Sequence, residues 1–475
     1  MARVICVLLL GAGAAAWAPV PAAHASASQL SIMQDDRLLL WSGPDARERA
    51  LDQMRRLGVT TIHSLVVWRK LAPAPAQATR PAFDAADPAS YSGWAPYDGL
   101  VAGARARGID VLFTVTGPVP NWASRCGARV PKRWLCNPRP SDYAAFVRAV
   151  ATRYSGTYAG LPRVSAWSLW NEPNHMMWLR PQATAARQYR DLARAGLAAL
   201  TATGHRTDRR LIGETAPGGG SRSTAPVDFM REVFCLDASG RPYRGITARR
   251  HGCRTRPRFD VTGVSDHPYT YAAIASPSRF KGHASDAPIG AMQHLVKLLD
   301  TTARYGVIPR HTRVYLTEFG FQSRPPDVFG VSLRTQAEFI NYSDYVAFRN
   351  PRIAAVAQYE LNDEPHAAVF NTGLRFADGR AKPALQAYAM PIYVRRVAGG
   401  VQVFGLVRSA RGTGATVAIQ NRLPRRHAAF RTVATVRTNR WGYLAKKLPS
   451  FGGRWRLVAG PVDARRFSRI ASEGP

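Results

Sequence analysis

The sequence predicts an α/β fold: a (β/α)8 barrel of the TIM type with a small C-terminal β-sandwich. Between about residues 30 and 395, short apolar runs alternate strictly with amphipathic stretches, and eight such pairs occur. Alternation argues for a parallel sheet covered by helices, and eight units argue for a closed barrel. From about Val397 the period changes to short strands separated by turn residues, as in a sandwich. An open doubly wound sheet is the alternative. It would normally carry a Gly-rich phosphate loop after its first strand, and Trp41-Ser42-Gly43-Pro44 is not one.

Taken in order, Arg37 to Trp41 reads as the first strand, and Asp45 to Leu57 as a helix with Leu51, Met54 and Leu57 on one face. Thr60 to Trp68 is the second strand, and a Pro/Ala-rich loop follows from Leu71 to Pro88. Tyr97 to Arg107 is a helix, and Val111 to Thr116 a strand. Ser141 to Tyr154 is a helix capped by Ser141 or Asp142. Val164 to Trp170 is a strand, and Thr184 to Thr203 a helix. Leu211 to Thr215 is a strand entering the turn Pro217-Gly218-Gly219-Gly220, before a helix over Val227 to Phe234 and a basic insertion over Asp237 to Arg258. Strands over Val261 to Ser265, Arg313 to Thr317 and Ile353 to Leu361 alternate with helices over Gly290 to Tyr305, Thr335 to Phe348 and Pro383 to Val394. The expected division is a leader over 1–27, a barrel over 28–395 and a sandwich over 396–475. The sandwich either packs on the barrel as structure or binds carbohydrate or wall polymer.

Arg3, the apolar run Val4 to Leu10 and the small-residue sites Ala23-His24-Ala25 and Ala25-Ser26-Ala27 read as a cleaved secretory signal. An uncleaved anchor is the alternative. No later stretch is long and apolar enough to span a bilayer. Cys6 would leave with the leader. The remaining Cys126, Cys136, Cys235 and Cys253 suggest two disulfides in an exported chain. Of three pairings, Cys126–Cys136 and Cys235–Cys253 are preferred because each closes a short loop. The spacings are wrong for zinc. The net charge of +34 is dispersed along the chain. It reads as a solvated surface rather than a nucleic-acid footprint, with attraction to an anionic cell-wall polymer as a milder possibility.

The chemistry concentrates at strand ends, where barrel enzymes carry it. The fourth strand ends in Trp170-Asn171-Glu172-Pro173, the sixth in Asp266-His267-Pro268-Tyr269 and the seventh in Glu318-Phe319-Gly320. Pro173 cannot continue a strand ladder, so Glu172 is held at a strand tip beside a bulky aromatic residue. Desolvation there is expected to raise its pKa, as a proton donor near neutral pH requires. Strands four and seven lie on opposing parts of a barrel rim. Two opposed carboxylates are what cleavage of a glycosidic bond needs.

The Asn171-Glu172-Pro173 tip, with Thr317-Glu318-Phe319-Gly320 on the seventh strand, resembles the clan A glycoside hydrolases. These include the cellulase-type family five and the xylosidase-type family thirty-nine. The resemblance covers the barrel and not the tail. It implies retention of configuration, with Glu172 as acid/base and Glu318 as nucleophile. It further implies that Asn171 binds the sugar 2-hydroxyl, that Tyr269 hydrogen-bonds the nucleophile and that His267 lines the cleft. The family's strand-eight tryptophan is missing, so Tyr359 or a neighbour would have to serve as the sugar platform. Glu364, in a second Asn-Asp-Glu-Pro run, and Glu214 are expected as subsite or loop residues. Arg69 could lie beneath the nucleophile, and Trp68, Trp94, Trp122 and Trp178 are candidates for stacking on a sugar face. The implied protein is a secreted, monomeric hydrolase of β-linked carbohydrate, without metal or organic cofactor. The alternatives are an inactive barrel that binds carbohydrate or cell wall and a basic nucleic-acid protein.

Overall fold

The computed structural model describes residues 25–474 apart from 271, 272, 279, 281 and 366–369. Eight parallel strands close the barrel: β1 (Leu30–Gln34), β2 (Thr61–Val67), β3 (Asp110–Thr116), β4 (Ala166–Leu169), β5 (Arg209–Thr215), β6 (Gly263–Asp266), β7 (Arg313–Leu316) and β8 (Ile353–Tyr359). Closure is made by β8 against β1, with Leu30 opposite Ala355 and Gln34 opposite Tyr359. The larger helices are α1 (Pro44–Arg56), α2 (Ala95–Ala106), α3 (Pro140–Arg153), α4 (Gln182–Ala202), α5 (Pro226–Val233), α6 (Gln293–Arg304), α7 (Leu333–Phe348) and α8 (Pro383–Ala389), and short helical turns lie at Trp68–Leu71 and Gly245–Arg250.

Local chemistry explains these elements. In α1, Pro44 opens the helix, Asp45 sits in the first turn, and Arg55 and Arg56 sit in the last, as the macrodipole favours. Its Ala50, Leu51 and Met54 are buried against the sheet. Likewise α3 begins at Pro140, with Arg139 before it, so Ser141 and Asp142 both lie within its first turn and neither is its cap. Strand residues such as Ile62, Val66, Phe113, Val115 and Leu169 face the helices in one large core. A second cluster, with Ile32, Leu112, Ala166, Leu211 and Ala355, fills the barrel interior. Each fully buried aliphatic side chain contributes about 1.5–3 kcal/mol.

Two elements differ from the sequence expectation. The first strand is Leu30–Gln34, and Arg37–Trp41 is a helical turn with Leu39 and Leu40 buried. A five-residue apolar run has no period that separates a buried strand from a buried turn. The last helix stops at Ala389, because Pro391 cannot extend it, and Ile392–Val397 is a strand, β9. The β-sandwich therefore starts before residue 396. Its other strands are β10 (Gly400–Leu406), β11 (Thr416–Arg422), β12 (Arg431–Arg437), β13 (Tyr443–Leu448) and β14 (Arg454–Ala459). One sheet contains β13, β10 and β9, and the other contains β12, β11 and β14, each with a two-residue strand at one edge. Val394, Val403, Val417, Ile419, Trp455 and Leu457 are among the residues filling the space between them.

The sandwich is clamped to the barrel near the N-terminal ends of the strands. Buried Arg408 donates to Asp344 of α7 (2.6 Å), to Ser31 of β1 (2.7 Å) and to the Tyr388 carbonyl (2.7 Å). Gly58 permits this approach: a Cβ there would lie 2.4 Å from the Arg408 backbone. Tyr345 and Phe348 of α7 pack against Tyr393, Phe404 and Tyr443.

Residues 1–24 of the expected leader lie outside the described residues. Ser26 is part of the folded body: its N–H donates to the Phe348 carbonyl (2.8 Å) and its hydroxyl to that of Ile353 (2.6 Å). Disulfides join Cys126 to Cys136 and Cys235 to Cys253, the second tying down the basic insertion. Among the described residues no helix is long and apolar enough to cross a membrane.

Candidate active site

The C-terminal ends of the barrel strands open into a cleft of about 870 Å³, with Glu172 and Glu318 both in its wall. The chain turns sharply at the tip of β4, where Trp170 (φ 72°) and Glu172 (φ 38°) are both left-handed. Non-glycine residues hold that conformation only when their surroundings enforce it, and such sites cluster where function needs them. Here the surroundings are specific. Trp170 N–H donates to the Val115 carbonyl, Asn171 N–H to the Thr116 hydroxyl and Glu172 N–H to the Glu214 carbonyl, each at 3.0 Å. The Trp170 ring is fully buried edge-on to Tyr143 and does not line the cleft, and Gly117 leaves room for it.

His267, at the tip of β6, joins the two glutamates. Its Nδ1 lies 3.1 Å from Glu172 Oε1 and 2.9 Å from Glu318 Oε2. One ligand atom from each of the three residues lies within 4.8 Å of the others. The imidazole is wholly buried, which by itself would pull its pKa down. The adjacent Glu318 and Glu172 carboxylates outweigh burial and hold it well above the ordinary histidine range. The same trio is the one set among the described residues that could ligate a cation. A ligating imidazole must offer a lone pair, however, and this setting favours the protonated ring.

A buried polar layer supports the floor. His63 Nδ1 is 2.6 Å from Gln34 Oε1, and His63 Nε2 is 2.8 Å from Thr114 Oγ1. Thr114 donates to Glu214 Oε1 at 2.8 Å. Glu214 is wholly buried; burial would raise its pKa, but His63 beside it brings the carboxyl below its usual range. Asp266 accepts from the Thr215 hydroxyl (2.5 Å), and burial pushes it up to about 7.

The sequence-derived candidates divide into two groups. Asn171, Glu172, Tyr269, Glu318, Tyr359 and Glu364 line the cleft, with Trp178 from the β4 loop, and His267 sits in its floor. Trp68, Arg69 and Trp122 do not line it. Trp68 begins a helical turn after β2 and stacks on Phe146 (5.4 Å, 8° between planes), and Trp122 packs edge-on to Trp68. Arg69 donates to the Pro75 and Val119 carbonyls and to Asn121, so it braces a loop and does not reach the nucleophile. Trp94 is buried with its N–H on the Pro88 carbonyl. Glu214 lies beneath the cleft and is not a subsite residue. The Tyr269 hydroxyl is buried without a hydrogen-bond partner, and the contact expected of it with Glu318 is made by His267.

Asp36, Arg37, Glu360 and Phe370 are among the cleft residues that the sequence reading does not single out. Asp36 is fixed by the Ser64 hydroxyl (2.6 Å) and the Leu65 N–H (3.2 Å). Glu360 is 3% exposed; burial and then neighbouring Asp35 push it up to about 9. Placing the first strand at Leu30–Gln34 would have put Asp35 and Asp36 at a strand tip, which is the signal that identified Glu172.

No family profile matches the chain, and no curated protein matches it by sequence. Solved structures do match. A glucosidase from Croceicoccus marinus is similar over 90% of this chain and 94% of its own, at 14% identity and a TM-score of 0.52. A family 39 glycoside hydrolase from the gut symbiont Bacteroides cellulosilyticus WH2 is similar over 89% of this chain and 79% of its own, at 16% identity and a TM-score of 0.52. Likeness at such identity speaks for the fold. The chain has the (β/α)8 barrel fold, extended by a C-terminal β-sandwich, to which both of these structures are similar.

Proposed function

We propose that the chain is a secreted retaining β-glycosidase of the clan A type, cleaving β-linked oligo- or polysaccharide by double displacement. The observation that carries this reading is the pairing of Glu172 and Glu318 across one cleft, oxygens within 4.8 Å. Retaining enzymes hold their carboxyl groups about 5–5.5 Å apart, whereas inverting ones need about 6.5–9.5 Å to admit a water. The two neighbours' names, a glucosidase and a family 39 glycoside hydrolase, agree with it.

Glu318 attacks the anomeric carbon as Glu172 protonates the departing oxygen, leaving the sugar esterified to Glu318. Glu172 then takes a proton from the water that releases the sugar. Protonated His267 neutralises part of the paired negative charge before attack and holds the Glu318 carboxylate in place. Asn171 and Asp36 stand in the wall as partners for sugar hydroxyls, and Trp178, Tyr359 and Phe370 as apolar faces for a ring. No step calls for a metal or organic cofactor. Two disulfides support an exported chain, and the packing of Ser26 favours processing after Ala25 over processing after Ala27.

The test is trapping with 2-deoxy-2-fluoro glycosides of activated leaving groups. The expected result is one added sugar, on the peptide that carries Glu318. Binding of sugar without turnover by any aryl β-glycoside would favour an inactive, carbohydrate-binding barrel, and label on another carboxylate would reassign the nucleophile.

A further inference from the structure

The sandwich carries far more than its share of the positive charge. Residues 391–475 hold seventeen Arg and Lys against two carboxylates, Asp463 and Glu473, in a chain of net charge +34. The β12–β11–β14 sheet concentrates it on its outer face. Side chains alternate along β11, so Val417, Ile419 and Asn421 are buried while Gln420 and Arg422 face out. On β14, Trp455 and Leu457 point inward and Arg454 and Arg456 outward. Register sets Arg422 directly opposite Arg454, and Gln420 opposite Arg456.

Like charges directly opposite each other destabilise a sheet, and no ion pair among the described residues relieves these. The ion pairs of the domain among the described residues are Arg396–Glu473, Arg408–Asp344 and Arg469–Glu338, none of them on this face. Burial and neighbouring Arg422 pull the Arg456 guanidinium below its usual range. The Arg422 and Arg456 guanidiniums lie over aromatic rings instead, while Arg456 also donates to Gln420 Oε1 (2.9 Å) and Arg454 to the Ser472 hydroxyl. Arg422 and Arg456 lie 5.0 and 4.0 Å from the centre of Phe430, and Arg456 lies 4.7 Å from that of Phe467. Arg425 and Arg426 stand exposed on the adjoining loop.

We infer that this sheet face docks a polyuronate, a polysaccharide whose sugar rings carry carboxylates. Guanidinium is matched to carboxylate by its planar fork. A sugar ring also offers an apolar C–H face that suits exposed Phe467, which a bare phosphodiester chain does not. The inference is independent of what the barrel does.

The experiment titrates sodium polygalacturonate, a neutral xylan and duplex DNA into the full chain. Three proteins are compared: the wild type, Arg422→Gln/Arg454→Gln/Arg456→Gln, and a control that loses equal charge from exposed barrel positions, Arg105→Gln/Arg148→Gln/Arg194→Gln. The triple variant should need at least tenfold more polygalacturonate for half-saturation and lose much of the salt dependence, while the control stays within twofold. Phe467→Ser, which keeps every charge, should weaken polygalacturonate severalfold with an unchanged salt slope. Equal loss in the control, DNA bound as tightly as polygalacturonate, or unaltered binding by the triple variant would each overturn the assignment.

Discussion

His267 Nδ1 approaches Glu318 Oε2 to 2.9 Å, closer than it approaches Glu172, so the buried imidazolium belongs first to the proposed nucleophile. Hydrogen bonds to charged groups contribute about 1.5–3 kcal/mol. Replacing His267 by Gln should therefore lower kcat/KM about ten- to a hundredfold, measured with an aryl β-glycoside.

The same contact makes a prediction about pH. The folded-state pKa of His267 is raised, so the native chain keeps this proton where the unfolded chain has released it. The resulting stabilisation is full below the unfolded value of about 6.5 and is lost as pH rises through the folded value. Denaturant midpoints of wild type and His267→Gln should differ most near pH 6 and converge in alkali. A difference that grows with pH would contradict a protonated His267.

Glu172 and Glu318 should fail differently. Glu318→Gln should abolish turnover of every substrate. Glu172→Gln should cost about 10²–10⁴-fold with poor leaving groups, the range of general acid catalysis, and far less in the first step with dinitrophenyl glycosides. Pre-steady-state release of the phenol reads the difference, and equal losses on both substrates would reverse or remove the assigned roles.

The Cys235–Cys253 bridge closes a separation of 18 residues around the basic insertion. Replacing both cysteines by Ser should lower stability by about 2–4 kcal/mol, checked by denaturant unfolding.

Arg408 and Asp344 form a buried pair, and removing one partner of such a pair costs about 3–5 kcal/mol. Arg408→Met should show that loss, and Arg408→Met/Asp344→Leu should recover part of it, because the second change removes the stranded carboxylate. A double variant as unstable as the single one would place the effect in packing rather than charge.

Much of this architecture was legible in the residues. Long β-branched runs such as Thr61–Val67 and Asp110–Thr116 leave no doubt about strand, and the acidic tips at Glu172 and Glu318 point to the barrel mouth from chemistry alone. Direction was not legible. Residue type marks Trp68 and Trp122 as rings suited to sugars, but only the backbone turns after β2 and after β3 decide that they pack on each other and not on the cleft. Asp36 and Glu360 are not legible for two physical reasons: the first strand lies seven residues upstream of the apolar run at Arg37, and the eighth strand ends at Tyr359, where residue type alone does not decide which of the polar residues that follow turns into the cleft. The trio around His267 could not be foreseen in detail, because it joins three strand tips that only closure of the barrel brings together.

The clamp between barrel and sandwich bears on how the protein can be handled. Tyr393, Phe404 and Tyr443 cover Tyr345 and Phe348, and the Tyr443 hydroxyl and Arg411 both reach Gln29 at the other end of the chain. The tail is thus no detachable cassette. A gene trimmed after residue 390 would yield a barrel with an oily aromatic flank in water, prone to precipitate. The intact polypeptide should melt in one calorimetric peak rather than two.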